Sequence, residues 1–336
     1  PTPAGRYNLV VIGAGTAGLV TAAIAAGLGS RVALIERHLM GGDCLNVGCV
    51  PSKGIVRAAR VWATASSGDE FGIPPVRVTS GNFGKVMERM RRLRAQLSRV
   101  DSAQRFKDLG VDVFIGHGRF TNPDTIQVEN STLRFSRAAI CTGARAAAPP
   151  IPGLNDVGYL TNETVFSLTA LPARLAIIGG GPIGCELAQA FARFGSQVTL
   201  LEQLDNILPR EDTDAADIVR NRMERDGVTF ALSIKVGTVQ RRDHQKVIHY
   251  TSHDGTELEL TVDDILVGVG RAPNIDGLGL EEAGVKFDSA GVTVDPSLRT
   301  SNHRIYAAGD VCFPFKFTHT ADAMAQIVVQ NALFPH

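Results

Sequence analysis

Tryptophan and tyrosine are scarce in this chain of 336 residues, and neither sign of charge is in excess. It holds one Trp and four Tyr, and its 34 basic residues balance its 34 acidic residues, which leaves a net charge of zero. Nucleic-acid and anionic-membrane surfaces are recognised by an excess of basic side chains, with aromatic rings where bases stack. We therefore expect no nucleic-acid partner and no membrane partner. No apolar run approaches the ~20 residues that cross a bilayer.

Cysteines are also few, and their five positions have irregular spacing that does not match a secreted disulfide framework. Cys141, Cys185 and Cys312 are isolated, and we expect them to be small buried apolar side chains. The start of the chain lacks the basic segment, apolar run and cleavage site of a secretory signal. A cytoplasmic location is therefore expected. Because the chain opens at Pro1 rather than Met, we also expect the natural protein to begin further upstream.

A β-strand, a glycine turn, a helix and a second strand are predicted at the start of the chain. Residues 8–12 and 31–36 are apolar runs typical of buried parallel strands, and residues 19–28 form a small-residue helix. The turn between them has the spacing of a dinucleotide-binding fingerprint: Gly13, Gly15 and Gly18. The three glycines permit a tight turn, a close backbone approach to a pyrophosphate, and packing of the helix on the strand. Glu36 ends the second strand, where its carboxylate can accept ribose hydroxyls.

The same unit returns later in the chain, with strands at 175–178 and 197–202 and a helix at 186–194. Its fingerprint is Gly179, Gly181 and Gly184, and its terminal acid is Glu202. Two copies predict two dinucleotide-binding domains, joined by a linker at 145–153. A carboxylate at position 202 accepts a 2′-hydroxyl and repels a 2′-phosphate, which favours NAD over NADP, although the nearby Arg210 could weaken that preference.

Two hairpins and one long helix complete the predicted elements. The hairpins pair residues 125–128 with 132–136 and residues 246–251 with 258–262. Residues 85–109 predict one basic amphipathic helix. We expect its arginines to form a solvated face rather than an anion site; they are Arg89, Arg91, Arg92 and Arg94.

Cys44 and Cys49 lie just downstream of the first fingerprint and admit three interpretations. The first interpretation is half of a zinc site, but no second pair of Cys or His ligands occurs at the usual spacing. The second is a structural disulfide, which does not suit a cytoplasmic protein. The third interpretation is a redox-active pair. Pro51, Ser52 and Lys53 predict that a helix begins near Cys49, and a helix N-terminus and a nearby Lys both lower the pKa of a thiol. This chemistry makes the chain a candidate oxidoreductase.

Four motifs in order resemble the FAD-dependent pyridine nucleotide-disulfide oxidoreductases, the flavoprotein family of dihydrolipoamide dehydrogenase, glutathione reductase and mercuric reductase. They are Gly-Gly-Asp-Cys through Lys at 41–53, Cys-Thr-Gly-Ala at 141–144, Gly-Val-Gly-Arg-Ala-Pro-Asn at 268–274 and Ile-Tyr-Ala-Ala-Gly-Asp-Val at 305–311. The resemblance covers essentially the whole chain. It is strongest to the mercuric-reductase-like branch, through the Gly-Gly-Asp-Cys spelling and residues 317–323.

The resemblance implies an α/β fold of two Rossmann-like dinucleotide-binding domains. This is the FAD/NAD(P)-binding fold, which has three layers in the order β, β, α. Residues 1–150 and 271–336 would form the FAD-binding domain and residues 151–270 the NAD(P)-binding domain. Electrons would pass from NAD(P)H through FAD to Cys44 and Cys49, and then to a disulfide or a soft metal ion. Cys49 would lie next to the flavin and Cys44 would meet the substrate.

The resemblance also implies site residues, and it predicts no resident metal. Lys53 and Glu186 match the pair near flavin N5, and Asp310 matches the acid that binds the ribityl chain. The implied FAD site comprises Gly13, Gly15, Thr16, Ala17, Gly18, Glu36, Arg37, Gly42, Asp43, Lys53, His117, Gly118, Thr142, Gly143, Gly309, Asp310, Thr318, His319 and Ala321. The implied NAD(P)H site comprises Gly179, Gly181, Pro182, Ile183, Gly184, Glu202, Val236 and Gly270.

Several positions depart from the pattern that the resemblance implies. Asp43 replaces the usual Thr before the first cysteine, which puts one expected flavin contact in question. Pro182 stands where glutathione reductases have a gating Tyr, so nicotinamide access should be less gated. Gln203 and Pro209 lack the arginines that bind a 2′-phosphate, which again favours NAD.

The family also has a third domain, which forms the dimer and carries a His-Pro…Glu acid-base pair. No His-Pro dipeptide occurs in this chain. We therefore expect the chain to lack that interface domain and the full-length protein to be a homodimer through it. Two alternatives stay open: an NADH diaphorase or oxidase that reduces quinone or oxygen with spectator thiols, and a nucleotide-binding redox sensor.

Overall fold

A computed structural model describes Pro3, residues 5–68, Gly72 and residues 82–334. Its helices are α1 Thr16–Gly27, α2 Gly42–Asn46, α3 Cys49–Ser66, α4 Phe83–Leu97, α5 Ala103–Asp108, α6 Leu154–Val157, α7 Pro182–Arg193, α8 Thr213–Arg225 and α9 Thr318–Leu333, with a short 3-10 helix at Val165–Ser167. Within these described ranges, no helix is long and apolar enough to cross a membrane.

The strands of the same described ranges alternate with these helices in both halves of the chain. They are β1 Arg6–Ile12, β2 Val32–Glu36, β3 Asp112–Ile115, β4 Gly118–Asn122, β5 Thr125–Val128, β6 Ser131–Ile140, β7 Ala144–Ala146, β8 Arg174–Ile178, β9 Gln197–Leu201, β10 Val228–Ala231, β11 Lys235–Arg242, β12 Gln245–Thr251, β13 Glu257–Val262, β14 Asp264–Val267, β15 Arg271–Pro273, β16 Phe287–Asp288, β17 Gly291–Val292 and β18 Ile305–Ala307.

The chain divides into two compact units. Unit 1 comprises residues 1–46, 94–145 and 271–336, and unit 2 comprises residues 47–93 and 146–270. Residues 47–93 therefore group with unit 2, whereas the sequence placed them in the FAD-binding domain. The nucleotide that each unit binds stays a prediction.

Unit 1 is built on a parallel sheet in the order β3-β2-β1-β6-β18, and β5 and β4 extend it as an antiparallel ribbon from the first half of β6. β1 buries both of its faces because its side chains alternate between two apolar clusters. Leu9 and Val11 pack with helices α1 and α9, while Val10 and Ile12 pack with β4, β5 and the segment around Val292. These three layers confirm the predicted α/β architecture.

Unit 2 repeats this plan with a parallel sheet in the order β10-β9-β8-β14 and a separate antiparallel sheet β11-β12-β13. On β8, Leu175 and Ile177 pack with α3, α4 and α7, while Ala176 and Ile178 pack toward the antiparallel sheet. Trp62, the only tryptophan of the chain, packs edge-on against Phe194 in the helical layer at 5.1 Å. The predicted repeat of one βαβ unit is confirmed.

Both predicted hairpins are confirmed, but the long basic helix is wrong. β5 pairs with β6 and β12 with β13, both antiparallel. The chain leaves helix after Leu97 and starts again at α5, where the hydroxyl of Ser102 accepts a hydrogen bond from Arg105 N at 3.2 Å. A serine N-cap favours a new helix start over continuation.

Three of the four arginines of α4 donate hydrogen bonds to backbone carbonyls. Arg89 donates to Gly54 O and Arg91 to Phe166 O, each at 3.4 Å, and Arg94 donates to Asn46 O at 3.0 Å. Arg92 instead pairs with Glu88 on the exposed face. Arg91 and Arg94 are half-buried, so the predicted solvated face is wrong for these two, whereas Arg89 and Arg92 are exposed as expected.

The three isolated cysteines are largely buried, as expected. Cys141 and Cys185 are each 5% exposed, and Cys312 is half-buried. Burial raises the pKa of Cys185 and of Cys312 to about 12, and it also raises the pKa of Cys141. Burial therefore favours the protonated form of all three thiols, which is the less nucleophilic form.

Candidate functional site

The first glycine turn leaves no room for side chains. Gly13 has φ +100°, and a Cβ at this position would collide with Cys141 O. A Cβ at Gly18 would collide with Gly13 O, so only glycine lets α1 pack this closely on β1. The turn is also covered, because a Cβ on Gly42 would lie 2.5 Å from Gly15 Cα.

Glu36 fixes the edge of this turn through two backbone hydrogen bonds. Its carboxylate accepts from Ala14 N and from His38 N, each at 2.8 Å, and the residue is 8% exposed. α1 begins at the glycine N-cap Gly15 without a side-chain cap. The first-turn N–H groups of the helix are therefore available to a phosphate.

A cleft beside the turn gathers six of the predicted residues. They are Gly13, Glu36, Arg37, His117, Gly118 and Thr142. The cleft also contains Asn274 and Asp276, which the sequence analysis did not assign to a site. Thr142 Oγ1 donates to Asn274 O at 2.7 Å and Asn274 Nδ2 donates to Thr142 O at 2.9 Å, so the two residues hold each other in place. The motif at 268–274 was the available signal for Asn274.

An ion cluster lies where α2 begins. Arg271 contacts the carboxylate of Asp43, donates to Ala144 O at 2.6 Å, and places Nε 3.4 Å from the Asp310 carboxylate. Burial raises the pKa of Asp310, while the positive charges of Arg271 and Lys316 act in the opposite direction. Arg271 was missed as a site residue because its partners are far away in the sequence.

The other predicted residues of unit 1 surround this turn or lie at the start of α9. Thr16 and Ala17 form the first turn of α1. Ala17 and Ala321 both approach Gly309, where an added Cβ would lie 3.4 and 3.5 Å from their Cβ atoms. The chain then turns into α9 at Thr318, and the exposed His319 ring stacks on Phe317 at 5.4 Å. Gly143 carries the carbonyl that accepts from Asn274 N.

Cys44 lies on the short helix α2 and is half-buried. The amide of Asn46 donates to Met40 O and Gly42 O at 3.0 and 2.9 Å, and Arg94 donates to Asn46 O. These bonds fix both ends of α2. The exposed Cys49 begins α3, as the sequence predicted.

The glycine turn of unit 2 repeats the geometry of the first. Gly179 has φ +111°, and a Cβ there would lie 2.7 Å from Gly268 O. A Cβ at Gly184 would collide with Gly179 O. α7 begins at the N-cap Gly181 without a side-chain cap, and Pro182 occupies the first turn, where it needs no N–H partner.

Glu202 is the residue of unit 2 that corresponds to Glu36 of unit 1. It accepts from Gly180 N at 2.5 Å and from Leu204 N at 3.0 Å, but it is only half-buried. Arg210 and the predicted residue Ile183 are exposed. Val236 packs in the apolar cluster that contains Leu201, and Gly270 is exposed after β14.

Lys53 and Glu186 form an ion pair within unit 2, and Nζ lies 2.7 Å from both carboxylate oxygens. Their side chains are 60% and 38% exposed. The helices α3 and α7 therefore bring together two residues that are 133 positions apart in the sequence. This contact is the one that the resemblance implied near the flavin.

Both turns fit a dinucleotide by their own geometry. Each has a close-packed glycine backbone, an uncapped helix N-terminus and a carboxylate at the end of the second strand. Within residues 5–68 and 82–334, no three His, Cys, Asp or Glu side chains are grouped so that they could hold a metal ion.

Comparison with known proteins identifies relatives over nearly the whole chain. A mercuric reductase of Staphylococcus aureus is 34% identical over 98% of this chain and 60% of its own length, and a dihydrolipoyl dehydrogenase of Acholeplasma laidlawii is 33% identical over 98% of this chain and 96% of its own length. A mercuric reductase of Bacillus cereus is matched over 52% of its length, so the chain spans about half to 60% of these mercuric reductases.

Solved structures agree with these relatives. The HOCl-induced flavoprotein disulfide reductase RclA from Escherichia coli, in its Cu(II) complex, superposes with a TM-score of 0.85 at 32% identity, covering 97% of this chain and 71% of that chain. The profile of the family described as pyridine nucleotide-disulphide oxidoreductase matches residues 7–326. The chain belongs to the pyridine nucleotide-disulphide oxidoreductase family.

Proposed function

We propose that this chain is the nucleotide-binding part of an oxidoreductase that passes electrons from NAD(P)H through FAD to Cys44 and Cys49, and then to a disulfide or a soft metal ion. The observation that supports it is the occurrence of one glycine-turn geometry in both units. A relay between two nucleotides needs two such sites, and the family uses FAD and a nicotinamide nucleotide.

The residues of unit 1 would hold the flavin nucleotide. The N-terminus of α1 would bind the pyrophosphate. The carboxylate of Glu36 would accept hydrogen bonds from ribose hydroxyls, and that of Asp310 would accept one from a hydroxyl of the ribityl chain. When bound, FAD supplies a ring that accepts a hydride and passes the electron pair on to sulfur.

The residues of unit 2 would hold the nicotinamide nucleotide, and we propose NAD rather than NADP. Glu202 is bound to two backbone N–H groups and so keeps its carboxylate at the end of β9, where a 2′-phosphate would be repelled. Lys53 and Glu186 would orient the nucleotide rings where the hydride is delivered, and their ion pair keeps Lys53 in place.

The thiols would act after the hydride step. The electron pair would enter an oxidised Cys44–Cys49 disulfide on the Cys49 side and break its S–S bond. The released Cys44 thiolate would then attack a disulfide acceptor, and Cys49 would displace the reduced product from Cys44 and re-form the Cys44–Cys49 bond. We also propose that the acceptor is a disulfide or a soft metal ion, that the protein acts as a homodimer, and that it is located in the cytoplasm.

The experiment is an anaerobic NADH titration of the FAD-loaded chain, followed by its visible spectrum. We expect the first equivalent to produce a long-wavelength absorbance band while the flavin stays oxidised, because the electron pair reduces the Cys44–Cys49 disulfide to thiols. Cys44→Ser should abolish disulfide reduction but leave NADH oxidation by quinones.

Two other outcomes would overturn the proposal. Flavin that bleaches at once without the band would favour a diaphorase with spectator thiols. Nucleotide binding without any reduction of the flavin by NADH would favour a redox sensor.

A further inference from the structure

Asp43 lies directly before Cys44, at the point where α2 begins, and the two residues are adjacent on this half-buried helix. The carboxylate of Asp43 is bound by Arg271. The two Cα atoms are ~3.8 Å apart, as in any trans peptide, so a change in the charge at position 43 acts on the residue next to it.

The cluster around Asp43 is balanced in charge. Asp43 and Asp310 contribute two carboxylates, and Arg271 lies between them. The second cation is Lys316, whose Nζ donates to Asp310 O at 2.8 Å. Arg94, at the other end of α2, donates to Asn46 O.

Arg271 also connects three segments of unit 1. Its side chain is 17% exposed, and it joins the start of α2 to the turn after β18 and to Ala144 O. Such a guanidinium is more strongly held than an exposed surface pair, because it hydrogen-bonds Asp43 and Ala144 O and also pairs in charge with Asp310. Asp43 thus anchors the helix that carries Cys44.

We propose that Asp43 is a positioning residue for Cys44: through Arg271 it holds α2 against the Asp310 turn, and its charge offsets Arg271 so that Cys44 is less reactive than beside an uncompensated cation. This deepens the proposed function by assigning the control of the interchange thiol to Asp43. It needs no bound nucleotide, because every group involved belongs to the chain.

The experiment measures the alkylation rate of Cys44 by iodoacetamide at pH 7, on the full chain with equal FAD content, after anaerobic reduction and removal of the reductant. Cleavage after Arg37 and Lys53 gives one peptide, residues 38–53, in which fragmentation distinguishes Cys44 from Cys49. Asp43→Asn should speed alkylation of Cys44, and Arg271→Gln should slow it, each by up to about tenfold, which corresponds to about one unit in thiol pKa. The double variant should return close to the wild-type rate, because it is again balanced in charge.

The opposite signs separate a charge effect from loosening of the structure. If both single variants change the rate in the same direction and the double variant changes it further, Asp43 is only a structural anchor and the charge-setting role is wrong. Asp43→Thr, which restores the residue that the family usually has, should behave like Asp43→Asn. Glu282→Gln, which removes the exposed pair of Glu282 with Arg119, is the matched control and should leave the Cys44 rate unchanged.

This experiment and the NADH titration can fail separately. Opposite rate changes without the long-wavelength band would leave the role of Asp43 intact and overturn the proposed electron path. The long-wavelength band together with unchanged alkylation rates would support the proposed electron path and overturn the role of Asp43.

Discussion

The two glycine turns share a motif but differ in how far the protein encloses them. In unit 1, Gly42 lies against Gly15 and Glu36 is buried. In unit 2, a Cβ at Gly181 would meet nothing within 4 Å, and Glu202 is half-buried. An enclosed turn suits a nucleotide that stays bound, and an open turn suits one that must enter and leave in every cycle. We therefore expect a nucleotide bound in unit 1 to dissociate more slowly than one bound in unit 2.

The close packing at the third glycine of each turn is the strongest common feature, and its removal should have the largest effect. Gly18→Ala and Gly184→Ala each place a methyl group against a backbone carbonyl, so each should destabilise its unit by about 1–3 kcal/mol. Urea unfolding would be followed by Trp62 fluorescence for unit 2 and by FAD release for unit 1.

Gly27→Ala is the matched control for these variants. Gly27 ends α1, and a Cβ there meets nothing within 4 Å, so this change should be neutral or stabilise by up to about 1 kcal/mol. Unchanged unfolding of Gly184→Ala would contradict the equivalence of the two turns.

Substitution of the acid that ends the second strand in each unit, Glu36 or Glu202, should affect the binding of one nucleotide and not of the other. Glu202→Gln keeps an acceptor for a hydroxyl but removes the charge that repels a 2′-phosphate. The ratio of the NADPH and NADH dissociation constants should therefore shift toward NADPH by about tenfold, and FAD content should not change. Equilibrium titration measures both constants. Glu36→Gln is the matched variant and should lower FAD content without altering the ratio; a shift in the ratio there would mean that the two sites are not distinct.

A smaller effect is expected on the stability of unit 1 at high pH, through Tyr7. Burial of Tyr7 and its 2.8 Å hydrogen bond to Asp112 raise the pKa of Tyr7 to about 12. Because the folded pKa is the higher one, this contribution to stability is complete below about pH 10, the ordinary range for Tyr, and is lost as the pH rises to about 12. Tyr7→Phe should cost about 1 kcal/mol at pH 8 and flatten this pH dependence. FAD release would report the change, and Trp62 fluorescence would show no difference; the same slope in both proteins would exclude this role of Tyr7.

Local patterns made the strands, glycine turns and terminal acids predictable from the sequence. An apolar run followed by Gly-x-Gly-x-x-Gly is specified within about 30 residues, and both copies were located from it. Contacts between distant residues could not be predicted this way. Asp43 and Arg271 are 228 positions apart, and Thr142 and Asn274 are 132 apart. The helix break before α5 was missed because the serine cap at Ser102 outweighed the continuing amphipathic pattern.

The interleaving of the two units along the chain has a consequence for biosynthesis. β6 pairs with β1 and also with β18, and α9 packs on α1, so the first sheet needs residues near both ends of the chain. Among the described residues, the strands that lie wholly within unit 2 span residues 174–267. Because a ribosome releases the chain from its N-terminus, we expect unit 2 to fold while unit 1 still waits for β18 and α9. The first glycine turn would then reach its final packing only after the last residues of the sheet have been synthesised.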